Sequence, residues 1–128
     1  GSVTDYNRTS RLKLANKYSK LCFLIAKQGF NVVIATISLF KEVHLWNRNS
    51  IPNYFEVYLK IPMEILKQRD SKGIYKKYDK GLLENVAGLD LSIDQPTNAD
   101  WVEEFNPKRK SPLIAEEILN YLEREKKL

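Results

Sequence analysis

The spacing of apolar residues in the first third of the chain predicts a helix followed by a buried strand. Apolar residues recur every three or four positions over residues 10–28, which is the spacing of one buried helical face, and Gly29 then supplies a stop signal. Residues 31–37 read NVVIATI, an almost unbroken β-branched run that is typical of a strand buried on both faces of a parallel sheet. This order indicates an α/β layer.

The rest of the chain continues the same alternation. The pattern predicts a helix over residues 39–49, a second buried strand over residues 55–61, and a helix that begins at Pro62 and runs to about residue 70. The sequence further predicts a short helix over residues 73–80, a loop-rich stretch over residues 81–98, a last strand over residues 101–105, a turn over residues 106–112, and a closing helix whose Lys126 and Lys127 suit its C-terminal dipole end. The predicted fold class is α/β, with parallel strands joined by right-handed crossovers.

Composition indicates one domain over residues 1–128. A chain of 128 residues with 43% hydrophobic and 29% charged residues lies within the range for a soluble globular domain with its own core. Neither a run of about 18 apolar residues nor a secretory signal is visible, so a cytoplasmic location is expected. The lone Cys22 has no cysteine partner and is expected to pack in the core, while Gly1 and Ser2 have the form of an expression-tag remnant.

The positive charge of the chain is concentrated in one segment. Residues 67–80 contain six basic residues against Asp70 and Asp79, so this window holds +4 of the net charge of +5. Such a segment raises the local concentration of anionic ligands, which include nucleotide phosphates, nucleic acid and acidic lipid. The alternative interpretation is a solvated surface with no ligand.

Five short segments, taken in chain order, resemble the adenylylsulfate (APS) kinase family. Residues 35–41 read ATISLFK, where the family has a strand ending in a Phe-Ile-Ser-Pro-Phe-Arg type sequence, and residues 55–62 match its strand-proline-helix segment. Residues 69–77 read RDSKGIYKK and are close to the family's Arg-Asp-Pro-Lys-Gly-Leu-Tyr-Lys-Lys, the most specific match. Residues 88–90 and 96–100 follow its Gly-Ile-Asp and Pro-Glu-Asn-Pro-Asp. The chain is therefore identified as a member of this family from about residue 11 to its last strand.

The resemblance implies a three-layer parallel-sheet fold of the P-loop-kinase type and transfer of the γ-phosphoryl group of ATP to the 3′-hydroxyl of adenylyl sulfate. Residues 69–81 would form a lid that closes over the phosphates, because phosphoryl transfer depends mostly on positioning and charge neutralisation. The resemblance places Arg69 against the ATP base or phosphates, although a helix-end arginine paired with Asp70 explains it equally well. The candidate catalytic residues of the lid are Lys72, Lys76 and Lys77.

Residues near the end of the first predicted strand are candidates for the acceptor site. Ser38 follows the carboxyl end of that strand, where ligands of open α/β sheets collect, and it would line the acceptor side with Phe40 and Lys41. The alternative role for Ser38 is the N-cap of the following helix. Arg11 matches an arginine of the family's acceptor-binding helix, and its alternative is a solvated surface arginine.

The same comparison reveals departures on the acceptor side. Residues 11–17 read RLKLANK, where the family usually has Arg-x-Glu-Asn-x-Arg-Arg. Val86 stands where the family has a phenylalanine that stacks on the adenine of the acceptor, and Ile93 replaces the tyrosine of Ser-Pro-Tyr. Loss of an aromatic stacking face removes on the order of 1–3 kcal/mol per base. We therefore list Val86 and Ile93 as acceptor-site positions and expect an acceptor that differs from adenylyl sulfate.

One branch of the family, found in bacterial capsule pathways, phosphorylates cytidine diphosphoramidate instead. Residues 36–48, TISLFKEVHLWNR, resemble that branch more than they resemble the sulfate-assimilation enzymes. Within this segment, His44 and Trp46 are interpreted as packing or surface residues, because no second histidine or base partner is visible.

The sequence does not contain a phosphate-binding loop. None of its five glycines begins a G-x-x-x-x-G-K-[ST] sequence, the loop that holds the β- and γ-phosphates and Mg²⁺. The resemblance implies that the first strand, this loop and its helix lie before Gly1, so the fold is expected to be N-terminally truncated. ATP and Mg²⁺ would be held mainly by residues outside the chain, and we predict no metal ligands within it.

Three functions are compatible with these observations. The favoured one is that the chain carries the lid and part of the acceptor site of a nucleotide 3′-kinase and is inactive alone. The second is a catalytically inactive nucleotide-binding remnant or interaction module, and the third, weakest one is a basic nucleic-acid-binding domain. The expected partners are nucleotide substrates and a second copy in a homodimer, with no nucleic acid and no membrane. Apolar residues 32–37 would be exposed in a truncated sheet, so we expect the chain to self-associate.

Overall fold

Five helices and two strands follow one another in an α/β order. The computed structural model describes residues 6–38 and 40–128, and Gly1, Ser2 and the predicted helix start at Leu39 lie outside them. The elements are α1 (Arg8–Lys27), α2 (Lys41–Ser50), β1 (Val57–Lys60), α3 (Met63–Arg69), α4 (Ile74–Asp79), β2 (Trp101–Glu104) and α5 (Ser111–Arg124). None of the helices in the described part of the chain is long and apolar enough to cross a membrane.

The two strands form a parallel pair, which confirms the predicted α/β class. Their register runs from Val57 opposite Trp101 to Lys60 opposite Glu104. Parallel neighbours require a long crossover, and here α3, α4 and the loop before β2 provide it. At the start of the pair, the Asp100 carboxylate accepts hydrogen bonds from the Glu56 backbone N–H and from Arg48, both at 2.8 Å. The beginning of β1 and the end of α2 are thereby tied to β2.

Helix α5 is attached to the strands by aromatic packing and by an arginine. The Tyr121 ring lies 5.9 Å from the Trp101 ring and 5.6 Å from the Phe55 ring, between centroids. Arg109 donates to the Glu103 carboxylate of β2 at 2.7 Å and is also paired with a glutamate of α5. The guanidinium beside Glu103 holds the pKa of that carboxyl below its ordinary value. One arginine therefore links the last strand to the last helix.

The hydrophobic core lies where α1, α2 and the loop before β2 meet. Phe40 and Val43 at the start of α2 are 2% and 4% exposed, and Leu91 packs against them with 7% exposed. Leu12, Ala15 and Ala87 complete the cluster. The predicted burial of one apolar face along α1 is largely wrong, because Tyr18, Leu21 and Ile25 on that face are 48%, 52% and 37% exposed. Trp46 meets Phe23 of α1 edge-to-face at 6.0 Å, which confirms its interpretation as a packing residue. Cys22 is a free, half-buried thiol rather than a fully buried one.

The prediction of a strand over residues 31–37 is wrong. These residues have no regular secondary structure, and they are exposed, with Val33 at 98% and Ile37 at 73%. A β-branched run becomes a strand only when a neighbour accepts and donates its backbone hydrogen bonds, and β1 and β2 pair with each other instead. The exposure of the apolar run agrees with expectation, whereas the self-association that we expect from it stays a prediction.

Smaller differences concern the ends of helices. Helix α1 begins at Arg8, two residues before its predicted start, because the Asn7 side chain caps it by accepting from Ser10 N–H at 2.9 Å. Its predicted stop is confirmed, since Gly29 adopts φ of 87° just after the C-cap. Pro62 is the N-cap of α3 rather than its first residue, and Ser38 is not the N-cap of α2, a position taken by Phe40. Helix α5 ends at Arg124, so Lys126 and Lys127 lie beyond it.

We predict that two valine-to-alanine substitutions will separate the core from the exposed run. Val43→Ala removes buried methyl groups and should lower the free energy of unfolding by about 1.5–2.5 kcal/mol. Val33→Ala makes the same chemical change at an exposed position and should stay within about 0.5 kcal/mol of the parent chain. Urea denaturation followed by circular dichroism measures both. An equal loss from the two variants would mean that residues 31–37 are packed in solution.

Candidate functional site

A cleft of about 640 Å³ opens between α2 and the loop that precedes β2. This volume lies within the range of small-molecule sites in proteins. One wall is the exposed side of α2 and the other is formed by residues 93–98. The lining residues are Lys41, Glu42, His44, Leu45, Arg48, Glu56, Ile93, Asp94, Gln95, Thr97 and Asn98. The fold thus brings together Lys41 and Ile93, two predicted acceptor residues that lie on different elements.

The acidic residues that line the cleft are engaged elsewhere. Glu42 accepts from Arg8 at 2.9 Å, and this hydrogen bond is the main cause of the lowered pKa of the Glu42 carboxyl. Glu56 accepts from the Tyr54 hydroxyl at 2.8 Å. The pKa of Tyr54 is raised, mainly by burial of its hydroxyl and secondly by this hydrogen bond. Asp94 accepts from the Lys41 backbone N–H at 3.0 Å and so caps α2. Each carboxylate is therefore directed at a protein partner.

Two cationic side chains of the cleft differ in whether they are paired with a protein group. Arg48 is bound to Asp100 at 2.8 Å and to the Asn98 carbonyl at 2.8 Å, and it stacks over the Tyr54 ring at 5.0 Å. Lys41 has no carboxylate within salt-bridge distance of its ammonium group among the described residues. The charge available to a ligand in the cleft is consequently positive, because an unpaired ammonium group attracts anions.

Ser38 and His44 form a hydrogen-bonded pair at the edge of this cleft. Their Oγ and Nε2 atoms are 2.7 Å apart, and both side chains are partly buried. The α-helical turn of α2 carries His44 back over the segment that contains Ser38, so the pair spans six residues of sequence. From the sequence, His44 is interpreted as a packing or surface residue with no visible base partner; the structure supplies a hydrogen-bond partner in Ser38.

The loop that carries Val86 is shaped by one aspartate. The Asp90 carboxylate accepts from the backbone N–H groups of Asn85 and Val86 at 2.8 and 2.7 Å. Desolvation pushes the pKa of Asp90 upward, but these backbone hydrogen bonds outweigh it and hold that pKa below its ordinary value. Arg11 donates to the Asn85 carbonyl at 2.9 Å, so the arginine predicted for the acceptor site does lie beside the Val86 loop.

Two predicted acceptor residues are core residues in this structure. Val86 is 7% exposed and Phe40 is 2% exposed, so each offers support beneath the surface rather than an open face. Ile93 is 37% exposed and lies in the cleft. Gly88 packs nearby, since a Cβ at this position would meet Met63 Cε at 2.9 Å and Ile93 Cδ1 at 3.8 Å. The acceptor roles of all three residues stay predictions.

The predicted lid is a hydrogen-bonded turn that bears exposed lysine side chains. The Asp70 carboxylate accepts from the backbone N–H groups of Tyr75 and Lys76 at 3.2 and 3.0 Å, and Gly73 takes a left-handed φ of 64° to allow this turn. Desolvation pushes the pKa of Asp70 upward, but hydrogen bonds from the backbone at the start of α4 outweigh this effect. The pKa of Asp70 is therefore below its ordinary value. Lys72, Lys76 and Lys77 are exposed and have no described carboxylate within salt-bridge distance.

Arg69 does not form the ion pair with Asp70 that the sequence analysis offers as an alternative to ATP binding. Its guanidinium lies 5.2 Å from the centre of the Phe105 ring, just after β2. The Asp70 carboxylate faces the backbone of α4 instead, so an Arg69–Asp70 ion pair is not formed. The contact with an aromatic ring leaves the charged edge of Arg69 open to an anion.

Sequence reasoning missed three aspartates that organise these loops. Asp70, Asp90 and Asp94 each accept backbone N–H groups, the last of them from a helix that lies 53 residues earlier. Asp70 and Asp90 bind backbone groups within six residues of themselves, so an aspartate within three residues of a glycine is a usable local signal for both. Asp94 had no such signal, because its partner is distant in sequence.

The described residues fit an anionic ligand better than a metal ion. Residues 6–38 and 40–128 contain no group of three or more His, Cys, Asp or Glu side chains that could hold a metal. Of the groups that ATP requires, they supply the lid lysines and Arg69, which suit its phosphates. The phosphate-loop sequence that holds Mg²⁺ and the β- and γ-phosphates is not part of these 128 residues.

Comparisons with known proteins agree on one family. The profile of the family described as Adenylylsulphate kinase matches residues 4–104. A cytidine diphosphoramidate kinase from Campylobacter jejuni is 39% identical over 97 residues, which are 76% of this chain and 56% of that protein. An adenylyl-sulfate kinase from Gloeothece citriformis is 26% identical over 95 residues, 74% of this chain and 54% of that protein. The chain thus spans about half the length of these curated relatives.

A solved structure gives the same result for the fold. The APS kinase CysC of Mycobacterium tuberculosis, determined in complex with AMPPNP and APS, superposes with a TM-score of 0.83 at 27% sequence identity. The match covers 93% of this chain and 70% of that one. Two parallel strands with their surrounding helices therefore lie within a kinase-like α/β arrangement.

The Asp90 hydrogen bonds predict a pH effect on stability. Because the pKa of Asp90 is lowered by folding, its contribution is present above the pKa of the unfolded chain and is lost as pH falls through the folded value. Asp90→Asn should reduce the loss of stability between about pH 5 and pH 3 relative to the parent chain. Urea midpoints across this range measure the difference.

Glu84 offers a control for this experiment. It is exposed in the same stretch and makes no hydrogen bond with its side chain among the described residues. Glu84→Gln should leave the acid profile of the parent chain unchanged. If Glu84→Gln and Asp90→Asn flattened the profile equally, the backbone hydrogen bonds of Asp90 would not be its cause.

Proposed function

This chain belongs to the adenylylsulphate kinase family, and on that premise we propose that it forms the lid and part of the acceptor site of a nucleotide 3′-kinase. The kinase would transfer the γ-phosphoryl group of ATP to the 3′-hydroxyl of a nucleotide acceptor. Since the chain spans about half of its curated relatives and has no phosphate-loop sequence, the proposal concerns the complete kinase. The 128 residues alone are expected to be inactive.

The observation that carries the proposal is the basic turn at residues 69–81. Its backbone is held in place by Asp70, whereas its lysine side chains are exposed and free of carboxylates in the described part of the chain. A hydrogen-bonded backbone with unpaired cations suits a segment that must neutralise charge as it develops on a transferring phosphoryl group. Lys72, Lys76 and Lys77 take this role in the proposal, and Arg69 contacts ATP beside Phe105.

We propose the cleft beside α2 as part of the acceptor site. Lys41 and Ile93 line it, Ser38 lies at its edge, and Arg11 supports the neighbouring loop through the Asn85 carbonyl. Val86 and Phe40 form the packed floor beneath this region, where they set its shape. An acceptor nucleotide would present its anionic group to the positive side of the cleft.

Cytidine diphosphoramidate is the acceptor that the observations favour over adenylyl sulfate. The relative named as its kinase is 39% identical, whereas the adenylyl-sulfate kinases from Gloeothece citriformis and Bacillus subtilis are 26% and 30% identical. The aromatic positions that would stack on adenine are Val86 and Ile93 here. We accordingly propose a place in capsule biosynthesis rather than in sulfate assimilation, in the cytoplasm where ATP is available.

The deciding experiment is a coupled assay of the complete kinase with ATP, Mg²⁺ and each acceptor. Turnover of cytidine diphosphoramidate in preference to adenylyl sulfate supports both parts of the proposal. Turnover of neither acceptor would refute the kinase assignment and leave the chain as an inactive nucleotide-binding remnant or interaction module. Homodimer formation, which is a separate part of the proposal, is measured on the same sample by light scattering.

Substitution of one lid lysine should slow the reaction of the complete kinase. Lys77→Met removes an exposed ammonium group from α4 and should lower kcat/KM for ATP by about 10- to 100-fold. The matched control is Lys67→Met in α3, which lies in the same basic segment but outside the proposed lid and should change kcat/KM by less than about twofold. Equal losses from the two variants would indicate a general effect of charge rather than a lid.

An aromatic residue in the cleft should change acceptor preference. Ile93→Tyr adds a stacking face at a position that is partly exposed, and it should improve kcat/KM for adenylyl sulfate by about tenfold relative to cytidine diphosphoramidate. Ile93→Leu conserves the apolar character and serves as the control. A ratio that is unchanged in Ile93→Tyr would remove Ile93 from the acceptor site.

A further inference from the structure

His44 is the only histidine in the sequence, and its ring joins a proposed acceptor residue to the cleft. Its Nε2 atom lies 2.7 Å from Ser38 Oγ, a distance typical of a strong hydrogen bond. Both side chains are partly buried, so the pair does not lie on an open surface. Packing alone does not require a polar ring at this position.

The other charged groups around the cleft leave few donors for a ligand. From α2, Glu42 is paired with Arg8 and Arg48 with Asp100. Glu56 binds the Tyr54 hydroxyl, and Asp94 binds a backbone N–H. Beside the neutral side chains of Gln95, Thr97 and Asn98, the groups that remain are the Lys41 ammonium group and the Ser38–His44 pair. All of them can donate hydrogen bonds, which suits an anionic oxygen.

We propose that His44 is a positioning residue that directs the Ser38 hydroxyl toward the acceptor. In this arrangement His44 Nε2–H donates to Ser38 Oγ, and the single hydroxyl hydrogen of Ser38 donates to a phosphate oxygen of the acceptor. The inference rests on the proposed function, because it takes a phosphorylated nucleotide as the occupant of the cleft. It adds a residue to which neither the family resemblance nor the sequence assigned a role.

The direction of the hydrogen bond decides what Ser38 can do. A serine hydroxyl has one donor and two acceptor sites, so a bond from Ser38 to an accepting imidazole would use its only hydrogen. The hydroxyl would then offer the ligand only lone pairs, which repel an anion. A donating Nε2–H avoids this in both the neutral Nε2–H tautomer and the imidazolium form.

Nuclear magnetic resonance of the 128-residue chain tests the direction directly. Because the chain has one histidine, ¹⁵N labelling gives a single pair of ring resonances that report its tautomer. The probe is cytidine 5′-diphosphate. We expect the Nε2–H or the imidazolium form in the complex, a shift of both ring resonances on titration, and a smaller shift in Ser38→Ala. A neutral Nδ1–H tautomer in the complex would overturn the inference.

Two amide variants of His44 provide matched controls. The glutamine amide nitrogen reaches the position of Nε2, whereas the asparagine side chain is shorter and ends near the position of Nδ1. His44→Asn should weaken cytidine 5′-diphosphate binding by about tenfold, and His44→Gln should retain affinity within about threefold. Circular dichroism confirms that both variants are folded. Equal affinities for the two variants, or no binding of the probe by the parent chain, would also overturn the inference.

These readouts do not depend on catalysis. If the complete kinase turned over neither acceptor while His44→Gln and His44→Asn still differed in binding, the proposed reaction would fail and the positioning role would stand. If turnover were normal and the two variants bound the probe equally, the positioning role alone would fail. The two failures are therefore distinguishable.

Discussion

The loops of this protein depend on aspartate side chains that accept hydrogen bonds from backbone N–H groups. Asp70 closes the turn before α4, Asp90 shapes the loop at Val86, Asp94 caps α2 and Asp100 holds the start of β1. A buried backbone N–H without a partner is costly, and a charged acceptor binds it more strongly than a neutral one. The basic turn after α3, the loop at Val86 and one wall of the cleft are thus each anchored by a carboxylate that accepts backbone hydrogen bonds.

This use of carboxylates also determines the electrostatics of the surface. Acidic groups that face the cleft or the predicted lid form hydrogen bonds with backbone N–H groups or ion pairs with arginines. They therefore do not neutralise the neighbouring lysines. Lys41 in the cleft and the lysines of the lid are left with solvent as their partner within the described residues. An anionic ligand would meet unpaired cations on a fixed backbone, which is the condition under which charge contributes most to binding phosphate.

Packing is unevenly distributed over the fold. Phe40, Val43 and Leu91 form a small core where α1 and α2 meet the loop before β2. The apolar run at residues 31–37, in contrast, is open, and the sheet within the described residues has two strands. A high structural similarity to a longer kinase chain accompanies this exposure. The arrangement of helices and strands therefore resembles that kinase although residues 31–37 are exposed.

Sequence alone determined the features that depend on neighbouring residues. Helix α1 with its glycine stop and the strands around residues 58 and 102 were predicted correctly, as was membership of the kinase family, whereas the predicted burial along α1 was not. Periodicity, turn residues and short motifs are local properties, and they are readable without the fold. The same local reasoning failed at residues 31–37, because a strand needs hydrogen bonds from a neighbour that composition cannot supply.

Only the tertiary structure decided that Asp94 caps a helix 53 residues away, that Phe40 and Val86 are buried, and that His44 meets Ser38. These contacts join side chains from separate elements, and their geometry exists only after the helices and strands have packed.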